Sequence, residues 1–371
     1  MKLSTPLRLL LITFVWLLLT VMLVGCGPKG SSLQQRLDIP TAVVLMTFNV
    51  ENLFDTQDDA GRNDETFLPL KWKHSPEHRE AQKVACRALK VRKWRDQCLY
   101  WDWNEAHLTT KLQRLADAIL QVNGGRGPDI LVLQEVENRG VLERLRTDYL
   151  NRAGYRPAIL LEGKDARGID IAFLSRLPQV GEPELHEVTF PGERPSRVRD
   201  TRGILEATFR LPDGNLITGF GVHFPAPFLP WQMRARSYAQ LNRLRAGLPS
   251  DRAAFAAGDF NTTAEDDSAH QLLAEFVRPN WVIAHETGCE PCQGTYYYAP
   301  KKAWSFLDMI LWSPAESVGQ SNWQLEPGSV EIVQGLSQQS DAQGHPQGYD
   351  LPEGLGVSDH WPLSVRIEKR L

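Results

Sequence analysis

No internal repeat and no low-complexity tract interrupts the 371 residues, so neither a repeat array nor a compositionally biased segment accounts for the length. An excess of one charge is missing too. With 41 Lys and Arg against 45 Asp and Glu, the formal net charge is −4, which argues against a protein that coats nucleic acid indiscriminately. A locally basic contact surface on an acidic protein remains compatible with that balance. The nine histidines form no cluster, so magnesium, manganese or calcium on oxygen ligands suits this composition better than zinc on imidazoles.

What is present begins at the N-terminus. Lys2 and Arg8, the apolar run from Leu9 to Val24 and the sequence Leu23-Val24-Gly25-Cys26 have the pattern of a bacterial lipoprotein signal. The run falls short of the ~20 residues a spanning helix needs. The expected organisation is therefore a signal peptide over 1–25, a lipidated Cys26 on a flexible tether over 26–40, and one domain over 41–371. That domain would sit outside the cytoplasm, held to a bacterial membrane by its lipid, in the periplasm or at the cell surface. Taking Lys2 and Arg8 from the 41 basic residues leaves 39 against 45, a net charge of −6. No protein partner is predicted.

Beyond Cys26 only Cys86, Cys98, Cys289 and Cys292 remain. In an oxidising compartment an even set suggests disulfides, and pairing Cys86 with Cys98 and Cys289 with Cys292 is the simplest of three arrangements. The alternative for Cys289-Glu-Pro-Cys292 is a redox or zinc site with His285. A thioredoxin-like pattern around it is absent, and structural zinc usually takes four ligands.

Strands are predicted at Ala42 to Phe48, Ile130 to Leu133, Ile169 to Leu174, Leu216 to Val222, Ala253 to Ala256, Met309 to Trp312 and Leu363 to Ile367. These are mostly continuous apolar runs and so read as strands buried on both faces. Pro212-Asp213-Gly214-Asn215 is a turn signal, which makes its flanks a hairpin and excludes a purely parallel sheet. Helices are predicted over Leu108 to Val122, from Leu108, Leu112, Leu115, Ile119 and Val122, and over Met233 to Leu248. Two sheets packed face to face with helices outside satisfy this pattern.

The stretch from Thr56 to Ala106 is too long for a simple connection and reads as an insertion. It interleaves Trp72, Trp94, Trp101 and Trp103 with nine lysines and arginines from Lys71 to Arg95. Such a mixture can bind phosphate backbones and stack on bases, or it can be a solvated helix whose tryptophans pack on the core. Tyr296, Tyr297 and Tyr298 read as strand core.

Six short polar motifs each close an apolar run: TFNVENLFD at Thr47 to Asp55, VLQEVEN at Val132 to Asn138, GVHFPAP at Gly221 to Pro227, AAGDFN at Ala256 to Asn261, SFLDMILW at Ser305 to Trp312 and GVSDHWPL at Gly356 to Leu363. Carboxylates, amides and imidazoles repeated at strand ends suggest one convergent polar site. In this order the motifs resemble the endonuclease/exonuclease/phosphatase superfamily, in the style of secreted bacterial nucleases. The resemblance spans the chain after Pro40. It implies an α/β fold of the DNase-I type: a four-layer sandwich of two packed mixed β-sheets flanked by helices.

Cleaving a phosphoester requires neutralising phosphoryl charge, aligning a water and protonating the leaving oxygen. A carboxylate at the end of the apolar strand carrying Glu135 is costly unless a cation or donor pairs with it. The resemblance makes Glu135 the main metal ligand, with Asn49, Glu51 and Asp359 around the metal. Asn49 and Glu51, two apart on a strand, would share a face. Glu51 departs from the Asp found there in the abasic-endonuclease branch, which puts its ligand role in doubt. By the same resemblance Asp259 orients or deprotonates the attacking water, and Asn261 holds phosphate or that water. His223 fits a phosphate donor or general acid. Asp308 would orient His360 and raise its pKa so that it donates as an imidazolium. Asp55 is as readily a turn cap. Arg176 and Arg202 are candidate phosphate clamps, and Asp170 is a further candidate. Ser358-Asp359-His360 is no serine-hydrolase triad, because three consecutive residues cannot reach one another in that geometry.

These features imply an exported phosphoesterase dependent on Mg²⁺, with Mn²⁺ or Ca²⁺ as alternatives, and cleaving nucleic acid by direct water attack. One alternative is a phosphodiesterase or phosphatase on lipid or small phosphoesters, as in the sphingomyelinase and inositol-phosphatase branches. A binding lipoprotein without activity is the other.

Overall fold

The computed structural model describes residues 40–315, 322–351 and 353–370. The expected signal peptide, Cys26 and nearly all of the tether lie outside the described residues. Among those described, no helix is long and apolar enough to cross a membrane. The strands are β1 (Ala42–Leu53), β2 (Ile130–Val136), β3 (Ile159–Leu160), β4 (Asp170–Ser175), β5 (Glu184–His186), β6 (Ile204–Arg210), β7 (Leu216–His223) and β8 (Ala253–Asp259). Then come β9 (Val282–Ile283), β10 (Tyr296–Tyr298), β11 (Ala303–Ser305), β12 (Asp308–Ser313), β13 (Trp323–Leu325), β14 (Glu331–Ile332) and β15 (Leu363–Lys369).

One sheet runs β13-β15-β1-β2-β4-β3, with β14 also on β15, and the other runs β5-β6-β7-β8-β12-β9. The β1–β2 and β7–β8 pairs are parallel and the rest antiparallel, so both sheets are mixed. The predicted turn joins β6 to β7, closed by the Gly214 N–H on Leu211 O at 2.9 Å.

Alternation along each strand builds the layers. Val43, Leu45, Ile130, Val132, Ile171 and Phe173 of the first sheet pack between the sheets against Ile217, Phe255, Ala257, Ile310 and Trp312. On the other face of β1 and β2, Met46, Phe48, Leu131 and Leu133 pack under the helix Glu105–Ile119 through Leu108, Leu112, Leu115 and Ile119. Asn104 caps that helix, its side chain accepting from Ala106 N at 2.9 Å. Phe220, Val222, Ala254, Ala256, Met309 and Leu311 cover the outer face of the second sheet beneath Tyr238 and Leu241 of the helix Trp231–Ala246. Helix, sheet, sheet and helix are the four expected layers. Burying each such Leu, Ile, Val or Phe side chain contributes about 1.5–3 kcal/mol before chain entropy is counted.

The insertion folds into short helices rooted where β1 ends. Phe67 stacks on Phe54 with centroids 4.1 Å apart, and the Trp103 indole donates to Asp55 O at 2.8 Å. Its tryptophans divide between the two sequence readings: Trp103 is core, Trp101 packs half-buried near Phe67, Trp72 stacks on His78, and Trp94 is 54% exposed. Cys86 and Cys98 are joined, with Cα atoms 5.5 Å apart, as are Cys289 and Cys292 at 5.3 Å. His285 stacks on Phe306 instead of joining those thiols in a metal site. Tyr296 to Tyr298 correct the expectation of strand core. They form β10 of a separate ribbon with β11, because the chain leaves the sheet before them and re-enters at β12.

Asp64, buried in the insertion, carries one oxygen without a partner. Burial pushes its carboxyl up to about 7 from an ordinary 3.8, against the pull of the Asp59 N–H. The folded chain therefore holds an extra proton between those values, so this contribution is full below about 3.8 and is lost as pH rises through about 7. Asp64→Asn should remove that dependence. The Tm of the variant minus that of the parent, followed by calorimetry, is expected to grow from pH 5 to pH 8; a flat difference would refute the shift.

Candidate active site

The polar strand ends meet at one rim of the sandwich. Within the second sheet, His223, Asp259 and Asp308 stand in register on β7, β8 and β12, each opposite the next. All three share the parity of residues pointing between the sheets, namely Ile217, Ala257 and Ile310. Asn49 continues the inward parity of Val43 and Leu45 and donates across the gap to Asp259 Oδ2 at 3.2 Å. The two sheets are thus tied at the site by one amide.

Glu135 arrives differently. Simple alternation would send its side chain with Leu131 and Leu133 under the helix, but the β2 register shifts there and Glu135 adopts φ +66°. A left-handed, non-glycine residue is strained, and such strain concentrates at functional positions. Its carboxylate accepts from Asn52 N at 3.0 Å and from Asn49 Nδ2 at 3.5 Å. The same kind of turn corrects the reasoning for Glu51 and Asn261, whose φ values are +50° and +51°. Two-residue strand spacing does not aim them. Glu51 Oε2 instead accepts from Tyr349 N at 2.7 Å, and Asn261 Nδ2 donates to Phe224 O at 3.0 Å.

His360 Nδ1 lies 2.7 Å from Asp308 Oδ2, which leaves Nε2 free for a ligand. Burial opposes a charged ring, yet Asp308, Asp359 and Asp259 outweigh it and hold the imidazole well above its usual range. His223 is the opposite case. Burial first, then Arg202, Arg167 and His360, push it well below its usual range, so its ring is neutral at pH 7. That corrects the general-acid option for His223: a neutral ring is suited to donating one hydrogen bond, and its Nε2 lies 3.6 Å from Asp259 Oδ2. Ser358 is no nucleophile either, because its hydroxyl donates to Asn49 O at 2.7 Å.

The remaining predicted residues sort by position. Arg202 is buried and pairs with Asp165 at 2.8 Å, within the electrostatic reach of Glu135 and Asp259. Arg176 is not at the site. It lies beyond the far end of β4, bound to Asp129 Oδ1 at 3.1 Å and to the carbonyls of Arg126, Gly127 and Ala153, so its phosphate-clamp role is withdrawn. Asp170 accepts from Gly163 N at 2.9 Å beside the site, and Asp55 caps a turn through Gln57 N at 2.7 Å. Sequence reasoning missed Lys111, whose ammonium is buried and donates to Val357 O at 2.6 Å in the field of Glu51 and Asp359. A lysine inside the apolar stripe of a helix was the available signal. It also missed Arg167, which donates to Asn52 Oδ1 at 3.4 Å, and Tyr296, whose ring centroid is 5.0 Å from that of His360.

Oxygen donors dominate this mouth: Glu135, Glu51, Asp359, Asp259 and Asn49. Burial followed by the charge of Asp359 raises Glu51 to about 8, burial chiefly raises Asp259 to about 7, and burial raises Asp359. Crowded acids of this kind are relieved by a hard dication. Among the described residues no three acidic, His or Cys groups form a ready cage. Oxygen donors of this kind, Glu135 among them, suit a hard divalent cation.

A mixed two-sheet sandwich with acids, amides and imidazoles at one rim is an arrangement suited to phosphoester hydrolysis. The sequence matches the model of the Endonuclease/Exonuclease/phosphatase family over residues 46–360, and the chain belongs to that family. Among solved structures it is similar to TDP2 of D. rerio complexed with single strand DNA product, at TM-score 0.55 and 13% identity, covering 89% of this chain and all of that one. It is also similar to a family protein of Bacteroides thetaiotaomicron, at TM-score 0.53 and 16% identity, covering 90% and 99%. A third, from Beutenbergia cavernae, matches at TM-score 0.51 and 14% identity over 89% of this chain and 72% of its own. At such identities the likeness shows the fold alone. Among curated proteins, no sequence matches the chain.

Gly258 precedes Asp259 at φ +151°, and a Cβ there would fall 1.9 Å from the carbonyl oxygen of Val222. Backbone cannot yield that space cheaply. Gly258→Ala should separate β7 from β8, lowering Tm by several degrees and activity at least tenfold; an unperturbed Tm would contradict the packing described.

Proposed function

We propose that the protein is an exported, lipid-anchored hydrolase of nucleic-acid phosphodiesters, acting by direct attack of water and dependent on Mg²⁺. The observation that carries this reading is the Asp308–His360 pair, 2.7 Å apart, beside Asp259 in the same ladder. One imidazole held protonated and one buried carboxylate beside it, His360 and Asp259, are the parts an acid–base hydrolysis needs. When bound among Glu135, Asn49, Glu51 and Asp359, Mg²⁺ supplies charge neutralisation at the phosphoryl oxygens.

The chain's own residues supply the rest. His360, kept protonated by Asp308, donates from Nε2 to a non-bridging phosphate oxygen. His223, neutral, offers a further N–H from the wall of the site. Asp259, held in line by the amide of Asn49, takes the proton of the attacking water as the water oxygen bonds to phosphorus. The bond to the leaving oxygen breaks, and that oxygen takes its proton from solvent. Arg202, fixed by Asp165, adds positive field without having to move. No residue forms a covalent bond to phosphorus in this scheme. Cys26 would hold the enzyme to the membrane, a claim that fails if Cys26→Ser leaves the protein in the membrane fraction and the parent takes up no labelled palmitate.

A second reading, hydrolysis of lipid phosphodiesters, is favoured by one observation. The β10–β11 ribbon stands apart from both sheets beside His360, with Tyr298 45% exposed. A tyrosine exposed on an aromatic ribbon at the mouth is suited to an acyl–headgroup boundary.

Purified protein should degrade single-stranded or plasmid DNA, or RNA, with Mg²⁺ and lose that activity in chelator. His360→Ala or Asp259→Asn should each reduce kcat by about 10²–10⁴-fold at unchanged Tm. Near-normal turnover in either variant would refute the site. Cleavage of sphingomyelin with no cleavage of nucleic acid would replace the first reading by the second.

Asp308→Asn tests the pairing separately. Without the neighbouring carboxylate, the His360 pKa should fall, so the pH at which activity declines on the alkaline side should move to lower pH. An unchanged alkaline limb in a pH–rate profile would show that His360 is not held by Asp308.

A further inference from the structure

We infer that the disulfide-closed helical hairpin of the insertion is a second contact for single-stranded nucleic acid, gripping the strand away from the scissile bond. The inference rests on the nuclease reading above. The hairpin consists of the helices Arg79–Ala88 and Arg92–Tyr100, joined through Lys90 and closed by Cys86 and Cys98. Eight large apolar side chains stand exposed among the described residues, and half of them are here: Val84 at 72%, Val91 at 41%, Trp94 at 54% and Tyr100 at 68%. That concentration is not the scatter normal for a surface.

The charges around them are equally one-sided. Between Ala81 and Trp101 lie Lys83, Arg87, Lys90, Arg92, Lys93 and Arg95 against the single acid Asp96. Lys83 pairs with Glu80 and Arg92 with Asp96, whereas Arg87, Lys90 and Lys93 are exposed and make no salt bridge among the described residues. On a protein with net negative charge, such a spot is complementary to a polyanion. Within Lys90-Val91-Arg92-Lys93-Trp94 cations directly flank an indole. Phosphates and bases alternate along a single strand in the same manner, and stacking on an exposed indole is indifferent to sequence.

The hairpin is also stiff. Gln82 Nε2, buried between the helices, donates to Glu65 O at 2.8 Å and to Cys98 O at 3.1 Å. A preformed contact loses less entropy on binding. Its root, where Trp103 grips Asp55, is at the catalytic end of β1. Ala42, where the chain enters β1, is roughly 35–40 Å away along the strand. A membrane-docking helix would separate its apolar and basic faces. The helix Arg79–Ala88 does so, but in the helix Arg92–Tyr100 the cations Lys93 and Arg95 stand on either side of the exposed Trp94.

The test uses the whole protein, a 20-nucleotide fluorescein-labelled single-stranded oligodeoxynucleotide, and bis(p-nitrophenyl) phosphate as a substrate too small to reach the hairpin. Measured by anisotropy in chelator, Lys90→Glu/Lys93→Glu and Trp94→Ala should each weaken oligonucleotide binding about tenfold or more. Removing two phosphate contacts should flatten the log Kd against log salt slope by about 1.4, at ~0.7 per contact. The ratio of kcat/KM on oligonucleotide to that on the small diester should fall in parallel, and Lys90→Arg/Lys93→Arg should retain the parent's affinity. Unchanged oligonucleotide binding in the charge-reversed and Trp94 variants, with cleavage of nucleic acid intact in the parent, would overturn the hairpin contact alone. A parent that hydrolyses the small diester yet neither binds nor cleaves nucleic acid would overturn the nuclease reading as well. Loss of binding to phosphatidylglycerol vesicles in the variants, with oligonucleotide binding unchanged, would assign the hairpin to a membrane and overturn the proposal.

Discussion

The site depends on holding several buried carboxylates together with few fixed cations. Glu51, Glu135, Asp259, Asp308 and Asp359 gather at one rim, and the buried positive groups among them are His360, Lys111 and Arg202. Burial alone would neutralise such acids. The protein divides the problem instead: Asp308 has its own imidazole, Asn49 gives Asp259 an amide donor, and Glu135 receives a backbone N–H. Glu51 and Lys111 draw on each other, burial pushing the acid up and the amine down, each to about 8.

The same end of the sandwich stores backbone strain. Glu51, Asn52, Glu135 and Asn261 all have positive φ, and all lie where a strand of the catalytic rim ends or bulges. Each costs roughly 1–3 kcal/mol and persists only because surrounding structure overdetermines it. The surrounding structure is the core: the residues just before them, Phe48, Val50, Leu133 and Phe260, are fully buried. Apolar burial along the strands thus holds polar ends in conformations that local preference rejects. Packing energy and catalytic geometry are therefore parts of one ledger, and core substitutions beneath β1 or β2 would be felt first as misaimed carboxylates.

Legibility in the sequence followed the same division. The seven predicted strands and both helices are present, because continuous apolar runs and a 3.6-residue stripe express burial directly. β3, β5, β9, β13 and β14, of two or three residues each, left no periodic signal. Asp259, Asp308 and His223 were readable as strand-end residues, and register makes them neighbours. Glu51 and Asn261 were named for the wrong reason, since a left-handed turn cannot be seen in a two-residue spacing. Arg176 was misassigned because arginine serves a carbonyl cluster as well as a phosphate, and only position distinguishes them. Tyr296 was misread because an aromatic run fits a core strand and a separate ribbon equally well; partner strands decide, and β10 pairs with β11 and bridges His360 rather than joining either large sheet.

Substrate choice rests on the parts least constrained by the core. The insertion and the β10–β11 ribbon both reach the catalytic rim, yet neither belongs to the two large sheets. Their chemistries differ: one is basic with an exposed indole, the other a tyrosine-rich ribbon whose turn carries Lys301 and Lys302. The rim is thereby offered two different surroundings, one basic and one aromatic. Charge distinguishes them at a distance, since on a net-negative protein the solvent-facing cluster of Arg87, Lys90 and Lys93 attracts a polyanion. A neutral or zwitterionic headgroup experiences no such steering and would reach the ribbon only by collision at a surface to which the enzyme was already held.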